Sequence, residues 1–106
     1  SCATHNPATC KHPKLPQKIA KVEVYGATWC PACKVETEFF DTHKIQYTVY
    51  WVDKDDGRNA ELKRIANEAG IRELYIPFTV YTDTAHKRYF QMGFDPNDPN
   101  YMHLGL

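Results

Sequence analysis

The run Val22-Glu23-Val24-Tyr25-Gly26-Ala27-Thr28-Trp29-Cys30-Pro31-Ala32-Cys33-Lys34 decides how the rest of the chain is read. Its first four residues alternate, with Val22 and Val24 on one face of a strand and Glu23 and Tyr25 on the other. Gly26-Ala27-Thr28 makes a short turn, and Pro31 suits the first position of a helix, where its missing N–H costs nothing. Cys30 is then the helix N-cap, beside solvent, and Cys33 lies one turn inside. The N-cap faces unpaired backbone N–H groups and the positive end of the helix dipole, which favours a thiolate on Cys30. Cys33 is close enough to attack a mixed disulfide formed on Cys30. The chemistry this spacing supports is thiol–disulfide exchange. A structural zinc half-site and two unrelated core cysteines are the competing readings. A C-x-x-C behind a strand and inside a βα unit is the context of a redox motif.

Working outward, the 106 residues suffice for one domain with a modest core. Lysine plus arginine number 13 and aspartate plus glutamate 13, so the net charge is zero and gives no footprint for nucleic acid or an anionic membrane. No apolar run approaches the ~20 residues of a spanning helix, so no membrane insertion of the domain is expected. Residues 1–18 read as a flexible tail, with Pro7, Pro13 and Pro16 and no apolar periodicity. Within it, Cys2 and Cys10 could form a disulfide, could join His5 and His12 around zinc, or could be two exposed thiols. Ser1 in place of methionine is expected to mark the removal of a signal peptide, a tag or part of a longer chain. Together with the tail cysteines it favours an exported, periplasmic bacterial protein over a cytoplasmic one.

The first strand is expected over Ile19–Tyr25 and the motif helix from Pro31 to Thr42. Ala32, Val35 and Phe39 form its buried stripe, with Phe40 as an optional fourth member and Lys34, Glu36, Glu38 and Asp41 toward water. Gln46–Asp53 is rich in β-branched and aromatic residues and reads as a strand buried on both faces. Asp53-Lys54-Asp55-Asp56-Gly57 lacks the ligand pattern of a calcium loop and reads as a turn with a helix N-cap. A second helix follows over Arg58–Ala69, with Leu62, Ile65, Ala66 and Ala69 inward and Gly70 as its stop. Phe78–Tyr81 is a strand after Pro77, at an edge or at a strand's first position. Thr82–His86 is a hairpin turn, and Lys87–Met92 the last strand. Asn97–Leu106 has room only for a short helix.

These motifs resemble the thioredoxin and glutaredoxin superfamily. Ala27-x-Trp29-Cys30-x-x-Cys33-Lys34 is similar to the thioredoxin active-site entrance, whereas Pro31 after the first cysteine is similar to glutaredoxins and bacterial disulfide-forming oxidases. Thioredoxins carry a buried aspartate six residues before the first cysteine, which assists proton transfer to the resolving thiol; Val24 stands there. Many glutaredoxins have a lysine three residues before it, for the glutathione carboxylate; Ala27 stands there. Gly93-Phe94-Asp95-Pro96 resembles the Gly-Phe-x-Pro element that closes the last strand of glutaredoxin-like proteins.

The resemblance implies an α/β thioredoxin-like fold over residues 19–106, a four-stranded mixed sheet flanked by helices in the order β-α-β-α-β-β-short α. It implies a cis Ile76–Pro77 bond lying against the cysteines. It also implies a monomeric oxidoreductase acting on protein or glutathione disulfides, with glutathione or a reductase as electron source and no cofactor. Cys30 and Cys33 would carry the reaction. Trp29, Pro31, Ile76, Pro77, Gly93 and Phe94 would meet the substrate, Trp29 and Phe94 as an apolar rim. A zinc or iron–sulfur protein of the same fold, or a disulfide-forming oxidase, is the alternative. The direction of exchange is open, with a reductant favoured.

Overall fold

Alternating Val22 and Val24 at the start of the motif become the fourth and sixth residues of a central strand, and both are buried. A computed structural model describes residues 18–95 as β1 (Ile19–Gly26), α1 (Pro31–Thr42), β2 (Thr48–Trp51), α2 (Asp56–Glu68), β3 (Phe78–Asp83) and β4 (Arg88–Met92). The sheet order is β2-β1-β3-β4. β2 runs parallel to β1 through the α1 crossover, and β3 and β4 are antiparallel to their neighbours. The mixed α/β sheet and its helices follow the expected order. The tail with Cys2, His5, Cys10 and His12, and the short helix expected after Asn97, lie outside the described residues.

Period-two alternation sends the two faces of the sheet to different helices. Val22, Val24 and Tyr81 pack with Phe40 of α1 and with Ile45. Tyr25, Phe78 and Val80 pack with Leu62 and Ile65 of α2. Each such apolar side chain, fully covered, contributes about 1.5–3 kcal/mol. On the α2 face a polar network ties the strands to the helix. The Tyr25 hydroxyl donates to Glu61, and Arg58 donates to Glu61 at 3.0 Å and lies over the Tyr50 ring at 4.0 Å. The Tyr50 hydroxyl donates to Glu23 at 2.9 Å. Burial and the Glu61 carboxylate both hold the Tyr25 phenol protonated, well above its ordinary range.

Local signals decide the helix ends. Asp55 caps α2, its carboxylate accepting the Arg58 N–H at 3.1 Å, and Gly70 follows the helix at φ +75°, a left-handed conformation that favours glycine. Ala69, expected inward, is the exposed C-cap.

Three expectations are corrected. β2 is four residues long, not the span Gln46–Asp53, and none of its residues is fully buried. Among the described residues it is an edge strand, paired only with β1. β3 lies between β1 and β4, and Pro77 stands just before its first residue, the second of the two placements expected for it, where a missing N–H removes no ladder bond. The third correction concerns α1. Its buried residues are Cys33, Glu36 and Phe40, whereas Ala32 and Val35 are exposed and Phe39 is half-buried. The helix is turned by about one residue from the expected stripe, because Cys33 packs against the backbone of Gly26.

Candidate active site

The turn from β1 into α1 brings Cys30 and Cys33 into one small cluster with Ala27, against which Trp51 and Ile76 pack. Cys30 is the N-cap of α1, in extended backbone, and Pro31 is the first helical residue. The Cys33 N–H donates to Cys30 Sγ at 3.2 Å, so a helix-terminal donor points at that sulfur. Both cysteines are free thiols. Cys30 is only 4% exposed and not open to solvent as its N-cap position suggested, because Ala27, Trp51 and Ile76 crowd it.

Cys33 is wholly buried. Burial pushes its thiol up to about 12, the hydrogen-bonded Cys30 and the charge of Glu36 add to this, and a hydrogen bond to the Ala27 backbone opposes it. Gly26 makes room for it. A Cβ on Gly26 would lie 2.9 Å from Cys33 Sγ, closer than such atoms approach, and a tight 3.0 Å from Cys33 Cβ.

A carboxylate outside the motif anchors the turn. Asp53, after β2, accepts hydrogen bonds from both the N–H (3.0 Å) and the hydroxyl of Thr28, and these bonds hold its carboxyl below the usual range. Parallel pairing of β2 with β1 makes that possible, since Gly26 stands opposite Trp51. Sequence reading assigned Asp53 to a turn and Trp51 to the core; a long-range contact of this kind leaves no local signal.

The remaining predicted positions divide. Trp29 is 69% exposed and flanks Cys30, and Pro31 is also exposed. The Ile76–Pro77 bond is cis, and Ile76 packs on the cysteine cluster. The Gly93 N–H donates to the Pro77 carbonyl at 2.8 Å, with Gly93 at φ +79°, so the end of β4 is pinned to the start of β3. Phe94 does not join Trp29. Its ring meets Phe39 edge-on at 5.3 Å in the α1 cluster, because the turn at Gly93 sends it back over the helix. Among the described residues no three His, Cys, Asp or Glu side chains converge as a metal-ligating group, and no helix is long and apolar enough to cross a membrane.

Residues 22–74 match the glutaredoxin family. The chain belongs to that family. The match runs from Val22 through both cysteines and α2 to just before Ile76–Pro77. Among solved structures, the glutaredoxin grx-1 of Archaeoglobus fulgidus is similar at 25% identity and a TM-score of 0.57, over 77% of this chain and 84% of that one. A thioredoxin of Malassezia sympodialis is also 25% identical, over 85% of this chain and 76% of that one, with a TM-score of 0.49. Comparison with curated proteins yields no match. The four-stranded sheet and its two helices are those of the thioredoxin-like fold, and membership of the glutaredoxin family makes this chain a thiol–disulfide oxidoreductase in general class.

Proposed function

We propose that this glutaredoxin-family chain exchanges disulfides with protein or glutathione substrates through the Cys30-Pro31-Ala32-Cys33 dithiol. One observation carries the reading: the Cys33 N–H is aimed at Cys30 Sγ at the N-terminus of α1, with the Cys33 thiol directly behind. Donors at a helix start stabilise a thiolate, the form that attacks. Cys30 is therefore the attacking sulfur and Cys33 the resolving one. The thiolate of Cys30 attacks a substrate disulfide, forms a mixed disulfide and expels one substrate thiolate. Cys33 then attacks Cys30 Sγ, closes the Cys30–Cys33 disulfide and releases the second. Glutathione or a reductase returns two electrons to the pair.

Trp29 and Ile76 supply the apolar surface on which a substrate segment rests, one exposed beside Cys30 and the other packed on the cysteine cluster. Incubation with glutathione disulfide or a disulfide-bearing peptide tests the assignment. Cys33→Ser is expected to accumulate a mixed disulfide that peptide mapping locates on Cys30. Cys30→Ser is expected to be inactive and to trap nothing. Trapping through Cys33, or turnover by Cys30→Ser, would overturn it.

A further inference from the structure

Glu36 is the one charged residue of α1 that points away from water. It lies three residues after Cys33 on the same face of the helix, and both side chains are wholly buried. Among the described residues its carboxylate has one hydrogen-bond partner, the Thr79 hydroxyl, which donates to its two oxygens at 2.9 and 3.0 Å. A buried carboxyl without a cation is costly in a fold of this size. A glutamine or an apolar residue would fill the same space without that cost.

Among the described residues Glu36 has no charged partner. Val24 on β1, Thr79 on β3 and Gln91 on β4 stand opposite one another in register on the sheet face toward α1. The titratable groups on that face are accounted for. The Tyr81 hydroxyl donates to Gln91, and the Tyr89 hydroxyl donates to Asp83 at the far end of the strand. Glu23 and Tyr25 belong to the opposite face, with Tyr50 and Glu61. On its own helix the titratable neighbour is Cys33, whose thiol the Glu36 charge holds up.

We propose that Glu36 is the proton acceptor and donor of Cys33 in thiol–disulfide exchange. This rests on the functional reading above and deepens it. Cys33 must lose its proton to attack, yet it is sealed from solvent, so the proton has to move to a group inside the protein. In the resolving step the Cys33 sulfur bonds to Cys30 Sγ, and the bond between Cys30 and the substrate sulfur breaks. The electron pair leaves on the substrate thiolate, and the Cys33 proton passes to the Glu36 carboxylate. When the Cys30–Cys33 disulfide is reduced, the Glu36 carboxylic acid returns that proton to the departing Cys33 sulfur. Burial lifts the Glu36 carboxyl to about 8, opposed by the Thr79 hydrogen bond, so at neutral pH it can act in either sense.

The sign of one substitution separates this role from a passive one. If Glu36 only repels charge on Cys33, then Glu36→Gln makes the thiol more acidic and speeds resolution. If Glu36 takes the proton, Glu36→Gln slows it. The experiment reacts the full reduced chain with glutathione disulfide between pH 6 and pH 9. Acid-quenched samples are peptide-mapped for the rise and decay of the Cys30–glutathione mixed disulfide. In the wild type the decay is expected to accelerate with pH, with an inflection near 8. Glu36→Gln, close to isosteric and still able to accept from Thr79, is expected to form the intermediate at an unchanged rate. Its decay should be about tenfold slower at pH 8, without the inflection. Thr79→Val keeps the carboxyl but removes its donor and should move the inflection to higher pH. Decay in Glu36→Gln as fast as wild type or faster overturns the proposal, as does an unmoved inflection in Thr79→Val. Wild-type protein that never forms a mixed disulfide on Cys30 overturns the functional reading itself, a distinct result.

Discussion

Replacing Glu36 by glutamine should make the protein more stable at pH 8 while changing little at pH 5. The carboxyl ionises at about 8 when folded, against an ordinary value of 4.5, and the cause is burial. Between those values the folded protein holds a proton that the unfolded chain has released. The stability associated with the neutral carboxyl is thus fully present below pH 4.5 and is lost as pH rises toward 8. At about 1.4 kcal/mol per pH unit the whole span is worth about 5 kcal/mol, of which about 3–4 kcal/mol falls between pH 5 and pH 8. That is a large share of a domain's usual ~5–15 kcal/mol. Glutamine does not titrate, so the gap between variant and wild type should widen by this amount over the interval. Urea unfolding of the oxidised proteins at pH 5, 6, 7 and 8 measures it, because closing the Cys30–Cys33 disulfide removes both thiols from the titration. With an m-value of roughly 1–3 kcal/mol/M, the difference in midpoint should grow by about 2 M. A gap that is the same at pH 5 and pH 8 within about 0.5 kcal/mol would refute the reasoning, since Glu36 would then be solvated or paired in the folded protein.

Gly26→Ala should destabilise the fold by about 1–3 kcal/mol, because its Cβ would meet Cys33 Sγ at 2.9 Å and neither sulfur nor strand backbone can move freely. Urea unfolding reads the loss, and slower decay of the Cys30 mixed disulfide should accompany it; a neutral substitution would mean that Cys33 sits elsewhere. Trp29→Ala, at a site 69% exposed, should leave stability within about 0.5 kcal/mol. It should raise KM for a protein disulfide several-fold with kcat little changed, and an unaltered KM would remove Trp29 from the docking surface.

Sequence alone determined the order of elements and the place of the dithiol. Both rest on short-range physics: Val22 and Val24 alternate, Pro31 starts a helix, Asp55 caps one and Gly70 stops it, and none of these needs a distant partner to be read. The cysteine spacing likewise dictated that Cys30 would be an N-cap and Cys33 would lie one turn behind. Tertiary structure decided which face of α1 is covered. Ala32, Val35 and Phe39 make one helical stripe, and Cys33, Glu36 and Phe40 another, displaced by a single residue. Hydropathy favours the first; contact of Cys33 with the Cβ-free backbone of Gly26 selects the second and carries Glu36 into the core with it. Position in the sheet was equally beyond local reading. An apolar run such as Tyr47–Val52 looks doubly buried, but a strand with one neighbour keeps an open side, and only the order β2-β1-β3-β4 says which strand that is. The Asp53 clamp on Thr28 and the packing of Trp51 on the dithiol follow from the parallel pairing of β2 with β1, which brings together residues more than twenty apart in the chain. Burial, and with it the chemistry open to a carboxyl or a thiol, is a property of what the rest of the fold lays over a side chain. That is why the motif was visible in the sequence and the acid behind it was not.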